Sequence, residues 1–176
     1  MNTPLFSPAK PASSEYAPFY RGYVESVPSG NIFEVYKQLD LQTRDILAGI
    51  PEQKAGYRYA EDKWSIRELV GHVADAERVF AYRALRFSRG DQTPLPGFEE
   101  KAFTAAANFE QFSLDSLSAS LSEVRRVNHN LFAGFSEAMF DLSGVASGSN
   151  CSVRALLYIT IGHGYHHLNI LRERYL

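Results

Sequence analysis

Lys63-Trp64-Ser65-Ile66-Arg67-Glu68-Leu69-Val70-Gly71-His72-Val73-Ala74-Asp75-Ala76-Glu77-Arg78 is the stretch whose reading decides the fold. Ser65 stands where a helix cap stands, and Glu68, three residues on, can reach back to complete a capping box. Trp64 can pack on Leu69 as a hydrophobic staple across the same turn. From there Leu69, Val73, Ala76 and Phe80 recur at helical spacing. Gly90 ends the run. This is a long amphipathic helix with a histidine, His72, on its inward stripe.

The same start signal recurs along the chain. Asn31 precedes Ile32, with Glu34 three residues later, and opens a first helix that runs to about Ala48 before Gly49 and Pro51. Phe112-Ser113 with Leu117 opens a third helix that ends near Gly134, along which Leu117, Leu121, Val124 and Leu131 mark the apolar stripe. Cys151-Ser152 with Leu156 opens a fourth, which runs to the C-terminus with Ile159, Ile170 and Leu171 on its stripe. The fold class is therefore all-α, a four-helix bundle. Residues 91 to 112 are a long link rich in Pro, Gly and Phe, with one helical turn expected near Ala105. A link of about 20 residues can span the roughly 38 Å of a 25-residue helix. The second and third helices are thus expected to run parallel, joined by a long crossover.

Composition narrows the function classes. The chain has 176 residues, 45% hydrophobic and 22% charged, the balance of one globular domain. Its formal net charge is -2, which leaves no basic surplus for nucleic acid. Cys151 is the only cysteine, so no disulfide can form within the chain and a Cys-rich zinc site is excluded. No stretch has the length of a membrane span, and the N-terminus does not read as a signal peptide, so a cytoplasmic protein is expected. Residues 1 to about 29 read as a tail that lies across a core or stays partly loose. Tyr16, Phe19, Tyr20, Tyr23 and Val24 can pin its second half, and its first half is expected to fray. The domain division is residues 1–19 as partly ordered tail and 20–176 as bundle.

Of five histidines, His72, His163 and His167 stand out. His163 and His167 are four apart in the fourth helix and share a face, as do pairs that bind one cation. If the second and fourth helices run antiparallel, His72 falls at the same depth as that pair. Three such imidazoles either hold a divalent metal or pack as ordinary core residues. His166 can replace His167, support it, or face solvent. His129, beside Arg126 and Asn130, is expected in solvent. Asp75, three residues after His72, can orient a ligand ring, accept a proton, bind the metal, or pair with Arg78. Glu77 is expected in a structural pair. Arg83 is expected in a structural role, with contact to an anionic substrate as the alternative. Gly162 and Gly164, costly inside a helix, point to close helix approach or to room beside the histidines. Tyr57 and Tyr59 can line the opening or simply pack.

The Lys63–Arg78 stretch resembles the "KWS…E…H..D.E" signature of DinB-like proteins, and Gly162-His163-Gly164-Tyr165-His166-His167-Leu168 resembles that family's closing "GHxxHH" helix. The resemblance implies a four-helix bundle of down-up-up-down topology. It implies His72, His163 and His167 as ligands of one divalent ion, zinc or nickel. It implies activity on a small molecule, as a thiol S-transferase with a low-molecular-weight thiol cosubstrate or as a metal-dependent hydrolase, and a homodimer. A non-catalytic metal- or ligand-binding bundle linked to stress is the alternative function. Neither DNA nor a membrane is expected as a partner.

Overall fold

A computed structural model describes residues 6–176. Of the tail's first half, expected to fray, residues 1–5 lie outside the described residues, and Ser7, Pro8 and Glu15 are hydrogen-bonded to the bundle. Four long helices form the bundle: α2 (Ile32–Ala48), α3 (Ile66–Ser88), α5 (Leu114–Ala133) and α7 (Val153–Ile170). A short helix α1 (Arg21–Ser26) precedes them and two more, α4 (Glu100–Ala107) and α6 (Glu137–Phe140), lie in the connections, with a hairpin of β1 (Ser143–Ala146) and β2 (Ser149–Ser152) before α7.

The caps are those the sequence signals. Asn31 Oδ1 accepts from the backbone N–H of Phe33 and Glu34 at the start of α2. Ser65 Oγ accepts from Glu68 N at 3.2 Å while Glu68 Oε2 accepts from Ser65 N at 2.8 Å, the reciprocal box at the start of α3. Ser113 and Ser152 cap α5 and α7.

Side-chain pairs fix the helix directions. Between α3 and α5 the pairs run in the same sense: Ser65 donates to Glu110 just before α5, and Arg125 and Asn128 further along α5 reach Glu77. These two helices are parallel. Between α2 and α5 they run oppositely, Phe33 against His129 and Asp40 with Ser122. Between α3 and α7 they also run oppositely, with Phe87 against Gly144 just ahead of α7 and His72 against His163. The topology is down-up-up-down, with the crossover between α3 and α5. That crossover holds two turns of helix, α4, rather than the one expected near Ala105.

Two features differ from the sequence reading. The hairpin was not expected. It turns on Ser147-Gly148, both with positive φ (52° and 77°), a two-residue turn that matches strand twist. Leu95 of the crossover bonds to it, donating to Val145 O and accepting from Ser147 N. Second, the buried face of α5 is rotated: it carries Leu117, Leu121, Arg125, Asn128, His129 and Phe132, while Val127 is exposed and Val124 and Leu131 lie only half in. His129 is therefore not in solvent. It is 4% exposed, packed against Phe33 and Tyr36, and neither ring nitrogen has a hydrogen-bond partner among the described residues. Polar partners inside the bundle pull this face inward.

Residues 6–20 lie along the bundle. Pro8 O accepts from Tyr158 Oη, and Ser7 Oγ accepts from Ile32 N. Glu15 Oε2 accepts from Ser152 Oγ at 2.7 Å and Arg154 Nε at 3.2 Å, and Oε1 accepts from Ala12 N at 2.7 Å. Burial alone would raise this carboxyl, but Ser152, Ala12 and Arg154 outweigh it and hold Glu15 below the usual glutamate value. A depressed folded value means stability present above the unfolded value and lost as pH falls through the folded one. Glu15→Gln should therefore lower stability by about 0.5–1.5 kcal/mol at pH 7, with the difference shrinking toward pH 3. Urea unfolding at both pH values checks this.

Candidate metal centre

The site is built where α3, α7 and α1 meet. α7 is buried almost all round, so its side chains are held by packing on every side. His163 and His167, one turn apart on it, both face α3. Antiparallel packing brings His72 to the same depth. His163 Nε2 lies 3.1 Å from His72 Nε2 and 3.1 Å from His167 Nε2. One ligand atom from each of the three residues lies within 4.8 Å of the others.

This arrangement suits a cation better than a hydrogen-bond network. One lone pair on His163 Nε2 cannot accept two N–H groups in line, and one N–H shared between two acceptors points straight at neither. Imidazole nitrogens sharing a tetrahedral ion at 2.0–2.1 Å stand about 3.3 Å apart, close to the observed spacing. All three rings are buried. Burial lowers His72 to about 4. Burial, then the neighbouring imidazoles, holds His163 and His167 well below the usual histidine value. The rings are neutral at pH 7, the form that donates to a metal.

Aromatic side chains fix the rings. Trp64 lies over His72 with centroids 4.3 Å apart. Tyr23 of α1 and Phe80 of α3 make T-shaped pairs with His163, centroids 5.4 and 5.7 Å away. Nδ1 of His163 and of His167 has no hydrogen-bond partner among the described residues. The carboxylates or carbonyls that commonly orient such rings are here replaced by packing. α1 reaches this close because residue 162 is glycine: a Cβ there would overlap the Tyr23 carbonyl.

The other expected residues fall outside the cluster. His166 is exposed, its ring 5.0 Å from that of His167. Asp75 is half-buried and accepts from Arg78 Nη1 at 2.9 Å. Tyr59 packs on Tyr175, and Tyr57 is exposed. Glu77 is fully buried, where its Oε1 accepts from Arg125 Nε at 2.9 Å and its Oε2 from Tyr36 Oη at 2.7 Å. Neither capping nor helical spacing points to Trp64 on His72, or to Tyr23 and Phe80 on His163. Trp64 sits eight residues before His72, just ahead of the Ser65 cap, and its ring packs back over the first turns of α3 onto His72.

A protein of Oceanobacillus iheyensis provisionally named a metal-dependent hydrolase is 28% identical over 81 residues, 44% of this chain. That match spans only 46% of the relative's own length. Among solved structures, YfiT of Bacillus subtilis, described as a probable metal-dependent hydrolase with an unusual four-helix bundle topology, superposes with a TM-score of 0.74 at 18% identity. The superposition covers 90% of this chain and 91% of that one. A mycothiol-dependent maleylpyruvate isomerase superposes with a TM-score of 0.67 at 14% identity, covering 82% of this chain and 61% of that one. At these identities the superpositions show a shared fold. The sequence profile of the DinB superfamily matches residues 38–171, which include both histidine segments, and the chain belongs to that superfamily.

Proposed function

We propose that His72, His163 and His167 hold one divalent metal ion through Nε2, and that the protein is a metal-dependent enzyme acting on a small molecule. The convergence of three buried, neutral Nε2 atoms carries this reading. Three imidazoles leave a tetrahedral ion one open position, the pattern of catalytic rather than structural sites. An ion there would supply Lewis acidity to a water or a thiol in that position. The chain's own part is to keep the three nitrogens unprotonated by burial, and to hold the rings with Trp64, Tyr23 and Phe80.

Hydrolysis and thiol S-transfer share this donor set. The likeness to a mycothiol-dependent isomerase supports a low-molecular-weight thiol as cosubstrate. The chain's own thiol is a poor nucleophile, since burial pushes Cys151 up to about 12. The imidazole donors suit zinc or nickel. Asp75, one turn past His72, is the acid–base candidate within the same reading, its carboxylate close to the site in sequence and held by Arg78. A homodimer in the cytoplasm completes the proposal; no helix among the described residues is long and apolar enough to cross a membrane.

The test is a screen of the metal-loaded protein against simple esters and amides, and against thiols paired with electrophiles. Turnover with one class, abolished in His72→Ala, is the expected result. Silence with both, or turnover that survives in His72→Ala, would overturn the enzymatic reading.

A further inference from the structure

Arg83 lies on α3 three turns beyond His72, about 16 Å along the axis. It is 3% exposed. Its Nη2 donates to Pro96 O at 2.9 Å and to Ser147 Oγ at 3.0 Å, and neither partner is a carboxylate. The other deeply buried arginine, Arg125, is neutralised by Glu77. A buried guanidinium whose hydrogen bonds go to a carbonyl and a hydroxyl has no counter-charge among those partners, an arrangement that favours the arrival of an anion.

Arg83 lines a cavity of about 310 Å³, whose walls include Tyr20, Phe80 and Phe98. That volume fits a small ligand. Phe80 joins the cavity to the histidine centre, because the same ring packs on His163 and, at 6.3 Å, on Tyr20. Burial raises the Tyr20 hydroxyl and the nearby Arg83 charge opposes it, so these two polar groups share one corner. Glu100 is exposed and is the acidic side chain on the cavity's edge. Its charge works against a bound anion.

We propose that this cavity binds small carboxylates with an aromatic or apolar body, the carboxylate on Arg83 and the body among Tyr20, Phe80 and Phe98. The inference names a substrate class for the proposed enzyme, and it rests on that reading only for the claim that the ligand is turned over.

Calorimetric titration with phenylacetate and with neutral phenylacetamide tests it, in the metal-loaded protein and in His163→Ala. The acid should bind at least about tenfold tighter than the amide in both proteins. Arg83→Gln should lose about tenfold for the acid and little for the amide. Glu100→Gln, a surface change that does not depend on Arg83 variants folding, should tighten the acid about two- to fivefold. Equal affinity for acid and amide, or no change in Glu100→Gln, would overturn the proposal. So would acid binding lost in His163→Ala, since the metal would then be the anion site. A protein without metal that still prefers the acid would overturn the metal reading and leave this one standing.

Discussion

Arg125→Met should destabilise the protein by about 3–5 kcal/mol, measured by urea unfolding at pH 7. Arg125 is 3% exposed and spends its donors inside the bundle: Nε to Glu77 Oε1 at 2.9 Å and Nη1 to Thr43 Oγ1 at 2.8 Å. Removing it leaves Glu77, fully buried, with only the Tyr36 hydroxyl. An uncompensated buried carboxylate is the costly outcome, far more so than the lost contact itself. Glu77→Leu combined with Arg125→Met should recover much of the loss, because the pair is then replaced by apolar volume. The variant should also reveal itself through pH. Burial already pushes Glu77 above the usual glutamate value, and the Arg125 charge, then Tyr36, pulls it back only in part. Without Arg125 the folded state prefers the protonated acid more strongly. The folded protein then binds the proton that the unfolded chain has released, so stability falls as pH rises above the unfolded value until the folded value is passed. Arg125→Met should be closer to wild type at pH 5 than at pH 8. A deficit that is the same at both would contradict this account of Glu77.

Gly162→Ala is the second large effect, and its sign runs against helix propensity. Alanine gains about 1 kcal/mol over glycine in an open helix interior. Here the added Cβ overlaps the backbone carbonyl of Tyr23, which cannot rotate away as a side chain could. α1 must lift from α7, and Tyr23 then leaves its T-shaped contact with His163. Overpacking of this kind costs about 1–3 kcal/mol, so the variant should be less stable than wild type. Gly22→Ala in α1 is the matching control. A Cβ there meets nothing within 4 Å, and the variant should be stabilised by about 0.4–1 kcal/mol. Thermal unfolding of the two variants should move in opposite directions. A Gly162→Ala protein as stable as Gly22→Ala would contradict the close crossing of α1 over the centre.

Local signals made the bundle legible. Ser65 with Glu68, Ser113 and Ser152 mark helix starts through hydrogen bonds made within one turn, and such bonds depend little on the rest of the fold. The long crossover then left few ways to arrange α3 and α5. His163 and His167 share a face by spacing alone. What stayed illegible depends on tertiary partners. Val124 and Leu131 suggest one stripe on α5, but Arg125 turns inward because Glu77 and Thr43 wait there, and it carries Asn128 and His129 with it. Glu77, expected in a structural pair, finds its partner in Arg125 and sits in register with Val70, Val73 and Ala81 on the buried face of α3. The hairpin has only Ser147-Gly148 as a turn signal, and its first partner outside is Leu95, far back in the chain.

The proposed function stands on three imidazoles converging to hold one ion. Elemental analysis of untagged protein, purified without added metal and compared with His72→Ala and His163→Ala, tests it most directly. About one divalent ion per chain is expected in wild type and loss of most of it in each variant, with helix content unchanged by circular dichroism. Wild-type protein without metal that also fails to take up zinc or nickel, or either variant retaining full stoichiometry, would contradict it.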